Sequence, residues 1–489
     1  MMTTQLRVMV VAVAAALGMP AQAAAPDAKV IERLEKQIAE LQREVQALKA
    51  SQQKSDAAAA AATATAAEAK AAATATNPTA IKDLADQIEV QGKEAVVKGD
   101  IPGSYRRAGE ETSFHVYGMA ELNVVKDFGG DNGSNDYSTF APYMPLDSQN
   151  ARKGSFYMTA RTSRLGVDAS TPSPIGPINV KIEGDFNNDP RTGNSAVTGS
   201  LQTIYTQQAT NSYDFRLRLA YGQVGPWLVG QTWSTFMDAD SLPETVDFNG
   251  PIGATFIRQP MVRYTYVTPD IGNFTAAIEN SASYVLDETG TATAAGFARV
   301  PDLVLRYDRA FDWGTISARG VTHELQVKND TLDASKRGYG LAASTLVKTW
   351  GDDFLTVAVT GGTGIGRYFN YIEGAIYNPA TQSILAEKAV GVVLGYQIKP
   401  SDRIRYNFAY GYQRNFDNDY TDFVKAQGLG SGQYGINRTV QQAHVGLFWS
   451  PFPKLVDVGA EAIWASRKTL DGEKGDGTRL NFSGRYYFQ

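Results

Sequence analysis

The segment Ile178-Asn179-Val180-Lys181-Ile182-Glu183-Gly184-Asp185-Phe186 repeats with a period of two. Its even-numbered positions are apolar or glycine, whereas its odd-numbered positions are all polar. A β-strand directs successive side chains to opposite faces. This segment therefore predicts a strand with one apolar face and one charged face.

Similar alternation occurs throughout the last three-quarters of the chain. The candidate strands are residues 114–126, 155–170, 178–186, 213–224, 227–236, 256–267, 274–280, 301–308, 314–327, 335–347, 354–360, 387–398, 403–414, 439–450, 456–466 and 478–488. Many approach the roughly 9–11 residues that a tilted strand needs to cross a bilayer. Sixteen candidates would form a barrel wide enough to hold a channel.

The links between these segments alternate in length. Short links at 172–177, 225–226, 269–273, 311–314, 350–353, 399–402 and 451–454 alternate with longer polar loops after Lys126, Phe186, Phe236, Asn280, Gly361, Arg414 and Ser466, and the link after Val327 is shorter. Short turns at one rim and long loops at the other are typical of outer-membrane barrels. The sequence predicts an all-β fold, a 16-stranded antiparallel transmembrane β-barrel. A soluble β-sandwich is the alternative, but it has no reason to alternate so regularly.

The composition excludes several classes of protein. The 489 residues carry 46 Lys+Arg against 51 Asp+Glu, a balance of −5 that does not indicate a nucleic-acid binder. The absence of cysteine rules out a disulfide scaffold and a thiolate metal site. His115, His323 and His444 are far apart, so we expect neither a metal site nor a cofactor. A mean hydropathy of −0.27 suits a barrel, because half of each strand faces water.

The N-terminus has a different character. Arg7, the apolar run at residues 8–19 and Ala21-Gln22-Ala23 predict a signal peptide over residues 1–23. Residues 24–54 are predicted to form an α-helical coiled-coil arm, with the heptad stripe Ile31, Leu34, Ile38, Leu41, Val45 and Leu48. A helix that folds back on its own domain is the alternative. Residues 55–98 form an Ala/Thr-rich linker with a weak helical pattern, and residues 99–489 form the barrel.

Counting from the apolar face of each strand places a set of cations inside the barrel. They are Arg164, Lys181, Arg216, Arg218, Arg263, Arg306, Arg319, Arg405, Arg479 and Arg485. A guanidinium binds a carboxylate through two parallel hydrogen bonds, so a row of arginines along a water-filled path would attract anions. The alternative is that these arginines pair with inward acids and only brace the wall.

Four segments make the chain resemble the DcaP-like outer-membrane porins. They are Gly99-Asp100-Ile101-Pro102-Gly103-Ser104, Ser163-Arg164-Leu165-Gly166, residues 230–238 and residues 258–265. The resemblance implies a homotrimer of 16-stranded barrels in the bilayer of the outer membrane, a periplasmic coiled-coil arm and uptake of small anions such as dicarboxylates. It also implies that residues 237–255 fold into the lumen, where Asp238, Asp240, Glu244 and Asp247 would form an acidic constriction loop opposite the arginines. Isoleucine or valine at a with leucine at d favours a dimer, so the heptads alone would not specify this trimer.

Two other functions remain open at this point. The barrel could be structural, with its arm tethering the envelope. It could also be a hydrolase, which needs a nucleophile beside a positioned base. The three histidines lie on different predicted strands and the sequence has no nucleophile-elbow motif, so we expect no catalytic residues.

Deleting residues 24–54 should leave the trimer intact. Three heptads make a short zipper, whereas barrel walls can bury a larger apolar area between subunits. Size-exclusion chromatography with light scattering in detergent would measure the assembly. Monomers after deletion would show that the arm holds the subunits together.

Overall fold

Sixteen antiparallel strands close into a barrel in this computed structural model. The structure describes residues 95–129, 141–147, 154–188, 213–369 and 374–488, together with residue 86. The predicted signal peptide, the predicted arm and most of the predicted linker lie outside the described residues. The compact unit that contains the barrel begins at Val96.

The barrel strands follow one another in chain order. They are β1 (Ser113–Asp127), β2 (Phe156–Thr159 and Arg164–Thr171), β3 (Ile178–Asn188), β4 (Asp214–Val224), β5 (Trp227–Trp233), β6 (Arg258–Thr268), β7 (Gly272–Glu279), β8 (Asp302–Phe311), β9 (Gly314–Lys328), β10 (Asp333–Lys348), β11 (Phe354–Thr363), β12 (Lys388–Ser401), β13 (Ile404–Asn415), β14 (Asn437–Phe452), β15 (Val456–Thr469) and β16 (Lys474–Phe488). Each of the sixteen predicted segments overlaps one of them, so the predicted strand number and antiparallel order are confirmed.

The sheet closes between its first and last strands. β16 pairs with β1 from Arg479 opposite Asp127 to Phe488 opposite Gly118. Closure matters because lipid cannot hydrogen-bond to the free edge of a sheet. With no edge left over, every barrel strand has a neighbour on both sides.

Three details differ from the sequence prediction. β2 is interrupted at residues 160–163, although both of its parts pair with β1. The predicted long loop after Ser466 is wrong, because β15 and β16 extend to Thr469 and Lys474 and leave a four-residue link. In β4, Glu183 of β3 lies opposite Leu219 and Gly184 opposite Leu217, so Arg218 is the extra residue of a β-bulge.

A short hairpin precedes the barrel. Val96–Lys98 pairs with Tyr105–Arg107, and Tyr105 pairs with Phe114 of β1. The connecting residues Gly99–Ser104 form a tight turn in which the Ser113 hydroxyl accepts a hydrogen bond from the Asp100 amide at 2.9 Å. Val96–Lys98, which the sequence assigned to the linker, therefore belongs to the barrel unit.

Folded loops pack together at the end of the barrel that carries the long links. They include a hairpin (Ala375–Asn378 with Ser383–Ala386) and helix α1 (Asp419–Ala426), which Asn418 caps. One apolar cluster joins Leu286, Ile376, Tyr420, Val424, Ile436 and Leu470 from five separate segments. No helix in the described ranges is long and apolar enough to cross a membrane.

The loop between β5 and β6 lies against the inner wall; we call residues 234–257 the inner loop. Its backbone passes over glycines at inward-facing positions of the wall. A methyl group at Gly411 of β13 would overlap the carbonyl oxygen of Ile252, and one at Gly391 of β12 would overlap that of Gly253. The absence of a Cβ at these two positions therefore allows loop and wall to touch directly.

A second loop fills the same side of the barrel. Ile365, Tyr368 and Phe369, from the loop after β11, pack with Phe236 of the inner loop against wall residues Ala277, Val304, Val321, Ala342 and Ala389. Tyr368 and Phe236 are fully buried, and their rings meet edge-on with centroids 5.4 Å apart. This apolar packing fills part of the barrel interior with protein.

Replacing Gly411 by alanine should displace the inner loop from the wall. Overpacking at a well-packed site typically costs about 1–3 kcal/mol, so the thermal midpoint should fall and the single-channel conductance should change. Gly446→Ala is the matched control, because a Cβ at this inward position of β14 meets its nearest atom at an ordinary 3.5 Å. Equal effects of the two substitutions would contradict the direct contact between loop and wall.

Candidate functional site: the charged lumen

Carboxylates of the wall hold the inner loop at its start and near its tip. At its start, Glu279 of β7 accepts hydrogen bonds from the Ser234 hydroxyl and the Thr235 amide, both at 2.7 Å. Near its tip, Glu461 of β15 accepts the amides of Val246 at 3.1 Å and Asp247 at 2.9 Å. The loop therefore crosses the interior of the barrel from β5 to β15.

Asp238 is bound to the wall behind the loop. Its carboxylate lies 3.1 Å from Arg306 and 3.8 Å from Arg319, and it accepts a hydrogen bond from Ser344. Burial alone would raise the pKa of Asp238. The hydrogen bond from Ser344 and the positive charges of Arg306 and Arg319 outweigh burial and lower the pKa below its ordinary 3.8.

Glu244 is bound in the same way on the other half of the loop. Arg405 of β13 donates two parallel hydrogen bonds to it, at 2.9 and 3.0 Å, and Asn407 donates a third at 3.0 Å. Asp247 accepts a hydrogen bond from Gln442 at 3.2 Å. The loop acids Asp238 and Glu244 are thus paired with arginines of the adjacent wall, and they do not stand unpaired across the lumen from them.

Four arginines gather on the opposite side, on β2, β4 and β6. Arg216 and Arg218 lie 2.8 and 2.9 Å from Asp185, and Arg218 also lies 2.8 Å from Glu183. Arg164 lies 3.6 Å from Glu183. The fourth member is Arg258. We call Arg164, Arg216, Arg218 and Arg258 the arginine cluster. Among the described residues, its ion-pair partners are the two carboxylates Glu183 and Asp185.

The arginine cluster touches the inner loop and one tryptophan. The guanidinium carbons of Arg258 and Arg218 lie 4.7 and 5.8 Å from the ring centre of Trp233. Arg218 also lies 5.6 Å from the ring of Phe248, in the inner loop. No described residue accepts a hydrogen bond from Nη1 of Arg258.

Arg258 is not among the inward cations that strand alternation predicts. Arg263 of β6 faces inward, so alternation along the strand predicts that the even-numbered residues of β6 face outward. Arg258, the first residue of β6, belongs to this even-numbered set. It reaches the cluster because it pairs with Trp233 at the last position of the short strand β5, where the inner loop leaves the wall. The proximity of Arg258 to Arg164, Arg216 and Arg218 depends on this register, which no local pattern reveals.

The other predicted cations divide into two kinds. Arg479 lies 2.6 Å from Asp127, Arg485 lies 2.6 Å from Glu121, and Lys181 lies 2.6 Å from Asp168. Arg263 differs, because no described carboxylate lies within ion-pair distance of it. It lines a polar cavity of about 330 Å³ under the inner loop, together with three aspartates (Asp238, Asp240 and Asp308) and four threonines.

Each histidine lies beside a carboxylate. His115 lies 3.5 Å from Asp168, His323 lies 2.7 Å from Asp302, and His444 lies 3.2 Å from Glu461. Ser281 approaches His323 at 3.3 Å on the same nitrogen, Nδ1, that faces Asp302. A catalytic triad needs the serine and the acid on opposite nitrogens, so this set lacks that geometry. Within the described ranges, no group of His, Asp and Glu could hold a metal ion.

Comparison with known proteins places these features in a family. Residues 105–488 match the family described as DcaP outer membrane protein. The outer membrane channel DcaP of Acinetobacter baumannii is similar in structure, with 24% identity, a TM-score of 0.65 and coverage of 80% of this chain and 100% of that one. An anion-selective porin from Comamonas acidovorans has 13% identity and a TM-score of 0.47, and the alignment covers 77% of this chain and 100% of that one. No curated protein matches the sequence.

The contacts of Asp238 with Arg306, Arg319 and Ser344 should hold the inner loop against the wall over most of the pH range. A depressed pKa in the folded state contributes stability that is complete above the ordinary value of 3.8 and is lost as the pH falls through the lowered pKa. Single-channel current should therefore be steady from neutral pH to about pH 4 and become noisy below it. Asp238→Asn should be noisy throughout. Noise that begins between pH 5 and 7 in the unmodified protein, with Asp238→Asn unchanged, would show that this anchor does not hold the loop.

Proposed function

This chain belongs to the DcaP outer membrane protein family, and from that premise we propose that it is a porin for small, preferentially anionic solutes of dicarboxylate type. The observation that carries the proposal is the arginine cluster, where four guanidinium groups share two carboxylates on the wall opposite the inner loop. We further propose that it works as a homotrimer in the outer membrane with residues 24–54 in the periplasm.

The excess charge supports a preference for anions. The charges of Arg405, Arg479 and Arg485 are balanced by the paired carboxylates Glu244, Asp127 and Glu121, so these residues brace the wall or the loop. The arginine cluster has two more cations than ion-pair partners. Arg263 makes no ion pair with a described acid, although Glu279 and Asp308 lie near enough to act on its charge. Like charges in a confined channel with low-dielectric walls raise the local concentration of the opposite ion.

The shape of the lumen supports the same conclusion. The inner loop and the loop after β11 fill the side next to β7–β12 with apolar packing. A solute is then confined between the inner loop and the wall of β16 and β1–β4, where Phe248 meets Arg218. A guanidinium offers two parallel hydrogen bonds to a carboxylate, which favours carboxylates over chloride at such a place.

The arrangement of the inward ion pairs gives no support to a hydrolase, because no described serine, acid and histidine have the geometry of a triad. Hydrolysis of lipid and peptide esters should be absent from the purified protein. If hydrolysis is observed, the rate should be measured again after Ser281 and His323 are both replaced by alanine. A rate that is unchanged by this double substitution does not arise at the Ser281–His323 contact.

Replacing Arg216, Arg258 and Arg263 together by glutamine should shift the zero-current potential in a salt gradient toward cations. The shift should be largest in dilute salt, because salt screens charges over about 8 Å at physiological strength. Arg218 is left in place, because it is buried between Glu183 and Asp185 and is the remaining ion-pair partner of Asp185 once Arg216 is replaced.

Arg414→Gln is the control, since it makes the same kind of charge change on the exposed outer face of β13. It should leave the potential unchanged. Dicarboxylate flux should fall more than chloride flux in the triple variant. An unchanged potential at both high and low salt would contradict the proposed anion preference.

A further inference from the structure

A groove runs along the outer face of the barrel wall over β9. Its floor includes Gly320 and Thr322, which lie directly opposite Leu305 and Leu303 of β8 and Leu341 and Tyr339 of β10. These flanking side chains stand out from the wall, and Leu305 and Leu341 are 68% and 74% exposed. The groove has a volume of about 930 Å³, which is within the usual range of small-molecule sites.

The groove is outside the lumen. Val304 and Ala342, the neighbours of the exposed leucines in sequence, are 1% and 6% exposed and belong to the apolar cluster inside the barrel. Because strand side chains alternate between faces, Leu305 and Leu341 face outward. In an outer-membrane barrel this outward apolar surface faces lipid.

Charged residues close one end of the groove. Two positions beyond Thr322 along the same face lies Glu324, opposite Arg337 of β10. Arg299 lies 2.6 Å and Arg337 lies 4.0 Å from the Glu324 carboxylate, which is 5% exposed. The Arg299 and Arg337 side chains are 58% and 36% exposed, so both retain faces toward solvent or lipid headgroups. Asp333, which pairs with Lys328 at 2.7 Å, also acts on Arg299, so the three cations and two carboxylates of this rim leave one positive charge in excess.

This end of the groove lies at the rim that carries the long loops. Immediately beyond Glu324, the carbonyl of Gln326 accepts the amide of Phe297 from the loop after β7. Short turns mark the periplasmic rim of such barrels, so the long loops mark the external rim. Arg299 and Arg337 therefore lie at the level of the headgroups of the outer leaflet.

Other outward cations lie at the same rim. Arg414 of β13, Lys468 of β15 and Lys474 of β16 lie in one row across the wall. Thr439 of β14 stands between Arg414 and Lys468 and is paired with both. Lys388 of β12 lies opposite Thr363, a residue that lines the groove. Basic side chains at a membrane surface are attracted to anionic lipid headgroups.

We propose that the groove binds one phosphate-bearing lipid of the outer leaflet, with an acyl chain along Gly320 and Thr322 and a phosphate at Arg299 and Arg337. The apolar walls match the chain, and the excess positive charge at the rim matches the phosphate. A second copy of the barrel would fit less well, because its wall would cover these two guanidinium groups without a phosphate to balance them.

Native mass spectrometry of the purified protein tests this site. The probes are diphosphorylated lipid A and the same lipid with both phosphates removed. The unmodified protein should retain the phosphorylated lipid at least five-fold better than the dephosphorylated one. Equal retention of the two lipids would overturn the assignment of the phosphate to the arginines.

Gly320→Leu should fill the groove and lower retention of the phosphorylated lipid at least five-fold. A Cβ at Gly320 meets Leu341 at an ordinary 3.6 Å, so the barrel should accept it. Gly484→Leu is the control, because this outward glycine of β16 has open space around it. Equal retention of the phosphorylated lipid by the two variants would overturn the groove as the binding site. A change of oligomeric mass in Gly320→Leu alone would also overturn it, because that result would assign the groove to a second copy of the barrel.

The triple variant Arg299→Gln, Glu324→Gln and Arg337→Gln tests the headgroup end without leaving the buried carboxylate unpaired. It should bind both lipids equally, at the level of the dephosphorylated lipid in the unmodified protein. Arg299 and Arg337 are exposed, and glutamine keeps the shape of the buried Glu324 side chain, so the variant provides a second test if Gly320→Leu fails to fold. Full preference for the phosphorylated lipid in this variant would overturn the proposal.

Discussion

The backbone of a strand in lipid must find all of its hydrogen-bond partners within the protein. Pairing of β16 with β1 satisfies this requirement by removing both free edges of the sheet. Closure also divides the side chains into an outward set that meets lipid and an inward set that meets water or other protein. The charged lumen, the folded loops and the apolar outer wall all follow from this division.

Two inward carboxylates of the wall and two acids of the loop itself hold the inner loop in place. Glu279 and Glu461 bind its backbone amides, while Asp238 and Glu244 of the loop bind arginines of the wall. An acid that is already bound to an arginine contributes little net charge to the lumen. The electrostatic character of the path therefore depends on the cations left in excess, which are the arginine cluster and Arg263.

Period-two alternation is a local property, and it was sufficient to predict all sixteen strands. It did not predict what depends on the register between strands. The bulge at Arg218, the pairing of Arg258 with Trp233 and the extension of β15 into the predicted loop all arise from neighbouring strands. The inward position of residues 237–255 followed from the family resemblance, because the loop sequence itself contains no signal for folding into a lumen. The ten predicted cations belong to inward positions, but their partners became known only from the structure.

We propose that the excess of arginines on one side of the lumen creates a path for anions. Crystals soaked in bromide would test it most directly, because anomalous scattering locates this anion without assumptions about conductance. The account predicts bromide beside Arg216 and Arg258, facing Phe248, and a second position at Arg263. Bromide found only on the outer surface, with none in the lumen, would contradict it.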